Sequence, residues 1–393
     1  MNTRSNVPVT GGRWAGLLFA LALVAFVIES QLTQYVQTDL GFRQPYFVFY
    51  IVHSAFAIIF PLHFFYLTIT SSASPRSIYA GLHLALSEHI SSTRFDRPLK
   101  FPTWGFIRLS TILAVSVAIP GLLWFIAVTL APLSDVTALW NTNAFFAYIL
   151  TVKLFGLEWE ARRLVAVVIA TIGAAVIAYG GSSSPTEHES PETKAADSGA
   201  PLVGDLLTLV ASIVYGIYQV LYKMYAALPA QPDTAFEVAI DPAYEPILSQ
   251  SDDAEAVVPD KPEMVYPPPF GLYANALTSG IGICTLLILW IPIPILHYLG
   301  LETFRLPPDM RTVLVLFGIS LSGVAFNAGL MILLGLWGPI VTSVGNLLTI
   351  VLVFVSDIIF GGAVQSITVW SMLGSGSIIL AFGVLAYDML QKR

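Results

Sequence analysis

The side chains able to do chemistry in this chain are few, and most stand in apolar surroundings. Glu29 lies near the end of an apolar run that starts at Trp14. Asp357, Lys223 and Arg108 are the other charges inside or at the edge of such runs. A charge in that setting must face a partner, a cavity or the polar end of its segment. Asp357 precedes the Gly361–Gly362 pair and Arg108 opens a run, so both fit interfacial anchors. Lys223, beside Tyr218, Gln219 and Tyr222, fits either an anchor or a solute contact. Glu29 is the candidate for holding a proton or a cation. His53 and His63 share one run, but helical geometry projects them about 80° apart, so they form no metal pair. His53 falls at a depth similar to that of Glu29. The two make a candidate proton relay, against the plainer reading of a hydrogen-bonded core histidine.

Amides form the second group. Residues 138–150 read ALWNTNAFFAYIL, so Trp140, Asn141 and Asn143 interrupt an apolar run from Leu133 to Leu154. An amide facing lipid would leave polar atoms unpaired at a cost of roughly a few kcal/mol. These side chains must therefore turn inward, either to bond a neighbouring helix or to line a solute site. Asn346, Asn327 and Asn275 pose the same choice, and with Tyr218, Tyr222 and Lys223 they complete the candidate substrate contacts. Pro61 and the Pro120–Gly121 pair each free a backbone carbonyl within an apolar run.

The elements that must position these residues follow from composition. Of 393 residues, 56% are hydrophobic and only 11% charged, with a mean hydropathy of +0.76. A soluble domain carries about a quarter charged residues, so water is not the main solvent here. The chain reads as an all-α integral membrane protein. A spanning helix needs about 20 mostly apolar residues. Ten runs qualify: 14–32, 46–70, 106–130, 133–154, 163–181, 203–226, 271–298, 312–335, 338–360 and 369–388. The first resembles a signal peptide's apolar core, but its length favours a retained helix. Of the 18 lysines and arginines, all but Arg43, Lys194, Arg305 and Arg311 fall on the side of the N-terminus. That asymmetry predicts both termini in the cytosol. Residues 1–13 and 389–393 are then cytosolic tails. Segment 182–202 is a Ser-, Pro- and Glu-rich linker. Segment 228–270 is an acidic, proline-rich cytosolic loop with nine acids and one lysine. Neither can bury a core, and both read as disordered. The net charge of −7 lies in that loop and argues against nucleic acid as a partner.

An internal repeat organises the ten runs. Shifting the chain by 205 residues lays VTALWNTNAFFAYILTVKLFG (136–156) on VTSVGNLLTIVLVFVSDIIFG (341–361) without a gap, with five of 21 positions identical. Asn141 falls on Asn346. The first segment is the fourth run and the second the ninth, so the chain divides into a first repeat (14–181) and a second (203–388). An odd number of spans per half makes the two repeats inverted. Inverted repeats mark alternating-access transporters with a site near the midplane. In the fifth run Ala166, Ala170 and Ala174 recur at four-residue spacing. Ser371 and Ser375 do so in the tenth, among several glycines. Such faces suit close packing or a homodimer contact.

Several stretches carry a family resemblance: ESQLTQY (29–35) with QPYFVFYIVHSAF (44–56), LAPLSDVTALWNTNAFFAYILTVKLFGLEW (130–159), GDLLTLVASIVYGIYQVLYKMY (204–225), and LWIPIPILHYLGLETFRLP (289–307) leading into GPIVTSVGNLLTI (338–350). In order and spacing the chain resembles the drug/metabolite transporter superfamily (EamA-type), in its solute carrier family 35 branch. It is most similar to fungal thiamine-repressible and vacuolar-type members and their animal F-subgroup relatives. The resemblance implies ten helices, cytosolic termini and a central cavity lined by helices other than the fifth and tenth. The F-Y-N-N and G-A-L-N-K signatures of the nucleotide-sugar branch are absent, which makes a nucleotide-sugar carrier the runner-up.

Function classes narrow accordingly. No Walker A sequence is present, so ATP hydrolysis within the chain is not expected. No GxSxG or HExxH motif appears, the lone Cys284 permits no zinc cluster, and no catalytic residue, metal or cofactor is expected. The reading is a secondary transporter of a small organic solute. Multiply charged phosphates need buried basic groups, which the runs lack away from their ends, so a neutral or cationic metabolite fits better. The alternative is a non-transporting membrane scaffold or regulator working through the acidic loop. Vacuolar, plasma and Golgi membranes are all compatible with the sequence.

Overall fold

Away from water every backbone N–H and C=O must be satisfied internally, and a helix does this within one segment. The computed structural model describes residues 12–71, 73–91, 101–131, 133–180, 201–228, 265, 267–360 and 369–391. Among them the chain is helical throughout, with no strand. Most of both expected linkers, 182–202 and 228–270, and most of the N-terminal tail lie outside the described residues.

The first half contains α1 (Gly12–Thr38), then α2 (Pro45–Ser54), which passes through a 3-10 turn (Ala55–Ile58) into α3 (Ile59–Thr70). It continues with α4 (Pro75–Ser91), α5 (Thr103–Leu130), α6 (Leu133–Trp140), α7 (Asn143–Phe155) and α8 (Ala161–Gly180). The second half contains α9 (Pro201–Tyr225), α10 (Leu272–Ile288), α11 (Pro292–Tyr298), α12 (Met310–Asn346), α13 (Leu348–Phe360) and α14 (Val369–Gln391). Among the described residues five helical stretches are long and apolar enough to cross a membrane: Ala15–Thr38, Pro45–Thr70, Thr103–Leu130, Leu202–Tyr225 and Met310–Val353. The pair α10 and α11, bent by 42°, makes a sixth if taken as one span. The protein is a helical membrane protein.

Several expected runs are subdivided. The fourth breaks between α6 and α7 at Asn141–Thr142. The eighth and ninth are separated inside α12, where Gly338 adopts the non-helical φ 77° and ψ 172°, and the ninth breaks again at Leu347 before α13. The Gly338 conformation is open to glycine and strained for other residues. The sequence reading omitted α4 altogether. Its Ser, His and Glu residues and 17-residue length disqualify it as a span. Its Ile78, Leu82, Ala85 and Leu86 nonetheless recur at helical spacing and are buried in the core.

Lipid-facing and inward faces separate cleanly on α1. Leu17, Leu21, Val24 and Ile28 form its exposed stripe. Ala22, Phe26, Glu29, Thr33 and Val36 form the buried one. α1 packs on α12, α9 on α5 and α7, and α10 on α2 and α3. The small-residue faces of α8 and α14 meet each other within the chain. A methyl group at Gly173 would lie 2.8 Å from the Gly374 carbonyl oxygen, so this close contact is intramolecular.

The α2–α3 break shows how a proline is accommodated. Pro61 has no N–H to give to the Ala57 carbonyl, four residues back. Ser279 of α10 repairs the gap. Its hydroxyl reaches the Phe56 and Ala57 carbonyl oxygens, at 3.1 Å each, and accepts from the Phe60 N–H at 2.7 Å. Gly282, one turn on, lets the helices touch, because a side chain there would collide with the Phe56 and Ala57 backbone.

The loop after α11 straps the start of α2. Glu302 accepts hydrogen bonds from the Tyr46 and Phe47 N–H groups at 2.8 and 3.0 Å. It thus caps a helix start far away in sequence. The Gln44 side chain donates to the Arg305 carbonyl and accepts from its N–H, both at 2.9 Å. Phe47 and Phe304 pack edge to face with centroids 5.0 Å apart.

Two outcomes follow from these ties. Ser279→Ala leaves the buried Ala57 carbonyl and Phe60 N–H without their partner, and the loss is expected to be about 1–3 kcal/mol. Thermal unfolding in detergent measures it, and an unchanged midpoint would show that the break repairs itself. Glu302 generates a pH dependence. Burial holds its carboxyl above the ordinary value of 4.5, although the two backbone hydrogen bonds pull the other way. The folded protein therefore binds this proton more tightly than the unfolded chain. The contribution is full below pH 4.5 and is lost as the pH rises through the folded value. In Glu302→Gln the melting temperature should be lower, since an amide accepts through one oxygen, and its decline over this range should flatten. A pH slope equal to that of the wild type counts against the assignment.

Candidate functional site

The buried stripe of α1 brings Phe26 and Glu29 to a cavity of about 50 Å³. α2 adds His53. α5 adds Val117, Gly121, Trp124 and Phe125, and α6 adds Trp140. From the second half come Tyr215 of α9 and Phe326 and Asn327 of α12. Helices of both halves thus build one wall set. The volume holds a few waters and is well short of the several hundred Å³ of a typical ligand pocket.

Aromatic rings make most of the wall. Phe26 packs against Phe326 and Trp124, with centroids 4.9 and 6.1 Å apart. Trp140 stacks on Tyr215 at 4.6 Å, and Trp124 meets Phe125 edge to face at 5.0 Å. Within this shell Glu29 is 6% exposed and makes no hydrogen bond or ion pair with any described residue. Its carboxyl lies against α12, with one oxygen 3.0 Å from the point a methyl at Gly323 would occupy. No lysine or arginine lines the cavity. A buried carboxylate without a partner needs a proton or a cation to neutralise it.

His53 completes the polar set. Its Nδ1 lies 3.2 Å from the Phe49 carbonyl oxygen, which can only accept, so Nδ1 carries the hydrogen. Nε2 is then an acceptor, and it lies 3.1 Å from where a Gly121 methyl would stand. The ring is packed against Phe49 and Phe56 at 4.2 and 4.8 Å. Both members of the expected relay line one cavity.

The expected substrate contacts divide. Trp140 and Asn327 line the cavity, and the Asn327 amide also donates to the Gly323 carbonyl at 3.0 Å. Asn141, Asn143 and Asn346 are buried away from it, where the break between α6 and α7 meets the break between α12 and α13. The Asn141 amide donates to the Thr137 carbonyl at 2.8 Å and to the Thr349 hydroxyl at 3.4 Å. Thr349 in turn donates to the Asn346 carbonyl at 2.6 Å, and Asn143 donates to the Trp140 carbonyl at 2.6 Å. Repeat mates therefore sit at matching helix breaks, one network apart. Gln219 and Ser343 share a further buried hydrogen bond nearby.

The remaining candidates lie elsewhere. Tyr218 and Tyr222 continue the ring column below Tyr215, with centroids about 6 Å apart, and the Tyr218 hydroxyl faces the Met331 sulfur at 3.6 Å. Lys223 donates to the Gly335 carbonyl at 2.6 Å, in the turn before the Gly338 kink. Asn275 pairs with His63 at 2.8 Å. Sequence reasoning missed Phe26, Trp124, Phe125, Tyr215 and Phe326. The available signal was weak: Phe26 stands one turn before Glu29, and Trp124 one turn after Pro120–Gly121.

Comparison with known proteins gives a consistent but coarse placement. No established family profile matches the chain. It is 23% identical, over 88% of its own length and 84% of the relative's, to an uncharacterized vacuolar membrane protein of Saccharomyces cerevisiae. A protein crystal structure aligns with a TM-score of 0.53 at 13% identity, covering 95% of this chain and 97% of that one. The fold is thus shared along nearly the whole chain, and the curated relative is a vacuolar membrane protein.

Proposed function

We propose that this membrane protein is a secondary transporter of a small organic metabolite, neutral or cationic, working by alternating access. The observation that carries the reading is Glu29, an unpartnered carboxylate in a ring-lined cavity between helices of both halves. A protein built only for structural support gains nothing from that arrangement, because an unpaired buried acid destabilises it. On this reading the ten apolar runs are ten spans in two inverted five-helix repeats, with both termini cytosolic. The matching breaks at Asn141 and Asn346 support the repeat. On this reading the cavity widens as one side or the other opens to admit solute. The carrier is non-enzymatic, and the relative's location supports a vacuolar membrane.

The test is flux in proteoliposomes holding the purified full chain, screened over small metabolites at two pH values. Wild-type protein should exchange a solute class in a pH-dependent way. Glu29→Gln should lower that exchange about tenfold or more, the weight of roughly one charge-assisted contact. Flux that is unchanged in rate and pH dependence removes Glu29 from the mechanism. Absence of any solute response, with loss of a cellular phenotype on deleting 230–265, would favour a scaffold acting through the acidic loop.

Asn141 separates the cavity from its supports. Asn141→Ala removes two buried hydrogen bonds outside the cavity wall. It should lower the unliganded melting temperature, while a solute that stabilises the wild type still adds its own upward shift. Loss of the solute shift with an unchanged baseline would instead place Asn141 in direct contact with solute.

A further inference from the structure

α12 leaves helical geometry at Gly338, and the residue that follows cannot repair the ladder. In a continuous helix the Gly335 carbonyl would accept from the N–H of residue 339. That residue is Pro339, which has none. Lys223 of α9 supplies a donor instead, with its ammonium 2.6 Å from the Gly335 oxygen. The arrangement repeats the one at Pro61, where Ser279 serves the freed Ala57 carbonyl. One turn earlier on α9, Gln219 accepts a hydrogen bond from the Ser343 hydroxyl, on the other arm of α12. Both of these side chains are buried. Gln219 and Lys223 are four residues apart and so share one face of α9. That face holds α12 on both sides of Gly338.

The same face continues to the cavity. Tyr215, a further turn back, lines the cavity and stacks on Trp140 at 4.6 Å. The Gln219 side chain lies in hydrogen-bonding reach of it. On α12, the arm before Gly338 carries Phe326 and Asn327 of the cavity wall, and the arm after it carries Asn346 of the crossing network. We infer that Gln219 and Lys223 are positioning residues, which fix the two arms of α12 relative to each other and tie them to the cavity wall through Tyr215. A solute contact would bring Lys223 to the cavity, which it does not line. A plain interfacial anchor would need no partner on a neighbouring helix. The inference deepens the transporter reading and rests on it for what the geometry is used for, but the geometry itself is measured without solute.

The experiment measures distances between pairs of spin labels on the full chain in detergent, with Cys284→Ala so that labels attach only where intended. Leu321→Cys on the first arm and Val355→Cys on α13, beyond the second arm, place labels at exposed positions either side of Gly338. Leu17→Cys with Leu321→Cys is the control pair, on α1 and the first arm alone. Lys223→Met and Gln219→Leu should each shift the Leu321–Val355 distance by about 2 Å or more, the scale of a small helix shift, and leave the control pair in place. Lys223→Arg still donates to a carbonyl and should keep the wild-type distance. Should Lys223→Met not purify as folded protein, Ser343→Ala replaces it, because it removes the second-arm bond and leaves the charge. Distances unchanged in these variants overturn the inference. So does equal movement of both label pairs, which is general loosening, and so does a shift in Lys223→Arg as large as that in Lys223→Met. Shifted distances in a chain that moves no solute would keep this inference and sink the transporter reading. Flux through the wild type with unmoved distances would do the reverse.

Discussion

A carboxylate set among rings without a counter-charge is the constraint on which the site depends. Its cost follows from lost hydration, and a lipid-facing position would make that cost worse. The inward stripe of α1 answers the second problem by turning Glu29 away from Leu17, Leu21, Val24 and Ile28. The first problem is left unanswered by protein groups. Neighbouring helices offer rings, a glycine and an imidazole acceptor, and none of these is a charge partner. The indole N–H groups of Trp124 and Trp140, in the same walls, are also without a hydrogen-bond partner among the described residues. Glu29 is the acidic group of that wall.

The same constraint explains why the helices are broken where they are. Pro61 interrupts its ladder, and Ser279 from the other half restores the lost bonds. At Asn141 and at Leu347 the ladder tightens to bonds between residues three apart, such as Ala144 N–H to the Asn141 carbonyl and Ile350 N–H to the Leu347 carbonyl. Short polar side chains beside these breaks bond the freed carbonyls, Asn143 in one case and Thr349 in the other. Because Asn141 also reaches Thr349, the two breaks support each other across the interface between halves. A helix bent at such a point changes direction without exposing backbone to lipid.

Much of this was legible in the residues. Apolar runs located the long helices because membrane burial writes itself in composition. The five matches between 136–156 and 341–361 pointed to equivalent positions, and both fall at helix breaks. Glu29 and His53 stood out as ionisable groups in apolar runs, and they share a cavity. The walls were not legible. Phe26, Trp124 and Phe326 differ in no local respect from lipid-facing aromatics such as Phe65 or Trp104, and only packing tells them apart. α4 escaped for the opposite reason. It is amphipathic and short, so a search for spans passes over it. The amides were read correctly as inward-facing, but sequence could not choose between a cavity and a helix crossing. That choice depends on the break at Asn141–Thr142, where Asn141 and Asn143 bond the Thr137 and Trp140 carbonyls.

The division of labour between amides and acid has a further consequence. The Asn141 and Asn143 amides bond backbone carbonyls, so their positions are fixed by the chain itself. A lone acid is the reverse. Its free energy depends on what occupies the cavity, so it can report occupancy to the surrounding helices. Phe26 and Glu29 lie one turn apart on α1, which packs along α12, and α12 contributes Phe326, Asn327 and Gly323. Neutralising Glu29 therefore acts at the α1–α12 contact, between the two halves of the chain. A ligand can shift a conformational equilibrium only by its difference in affinity for the two states. An acid without a counter-charge supplies such a difference wherever one state brings a positive group to it and the other does not.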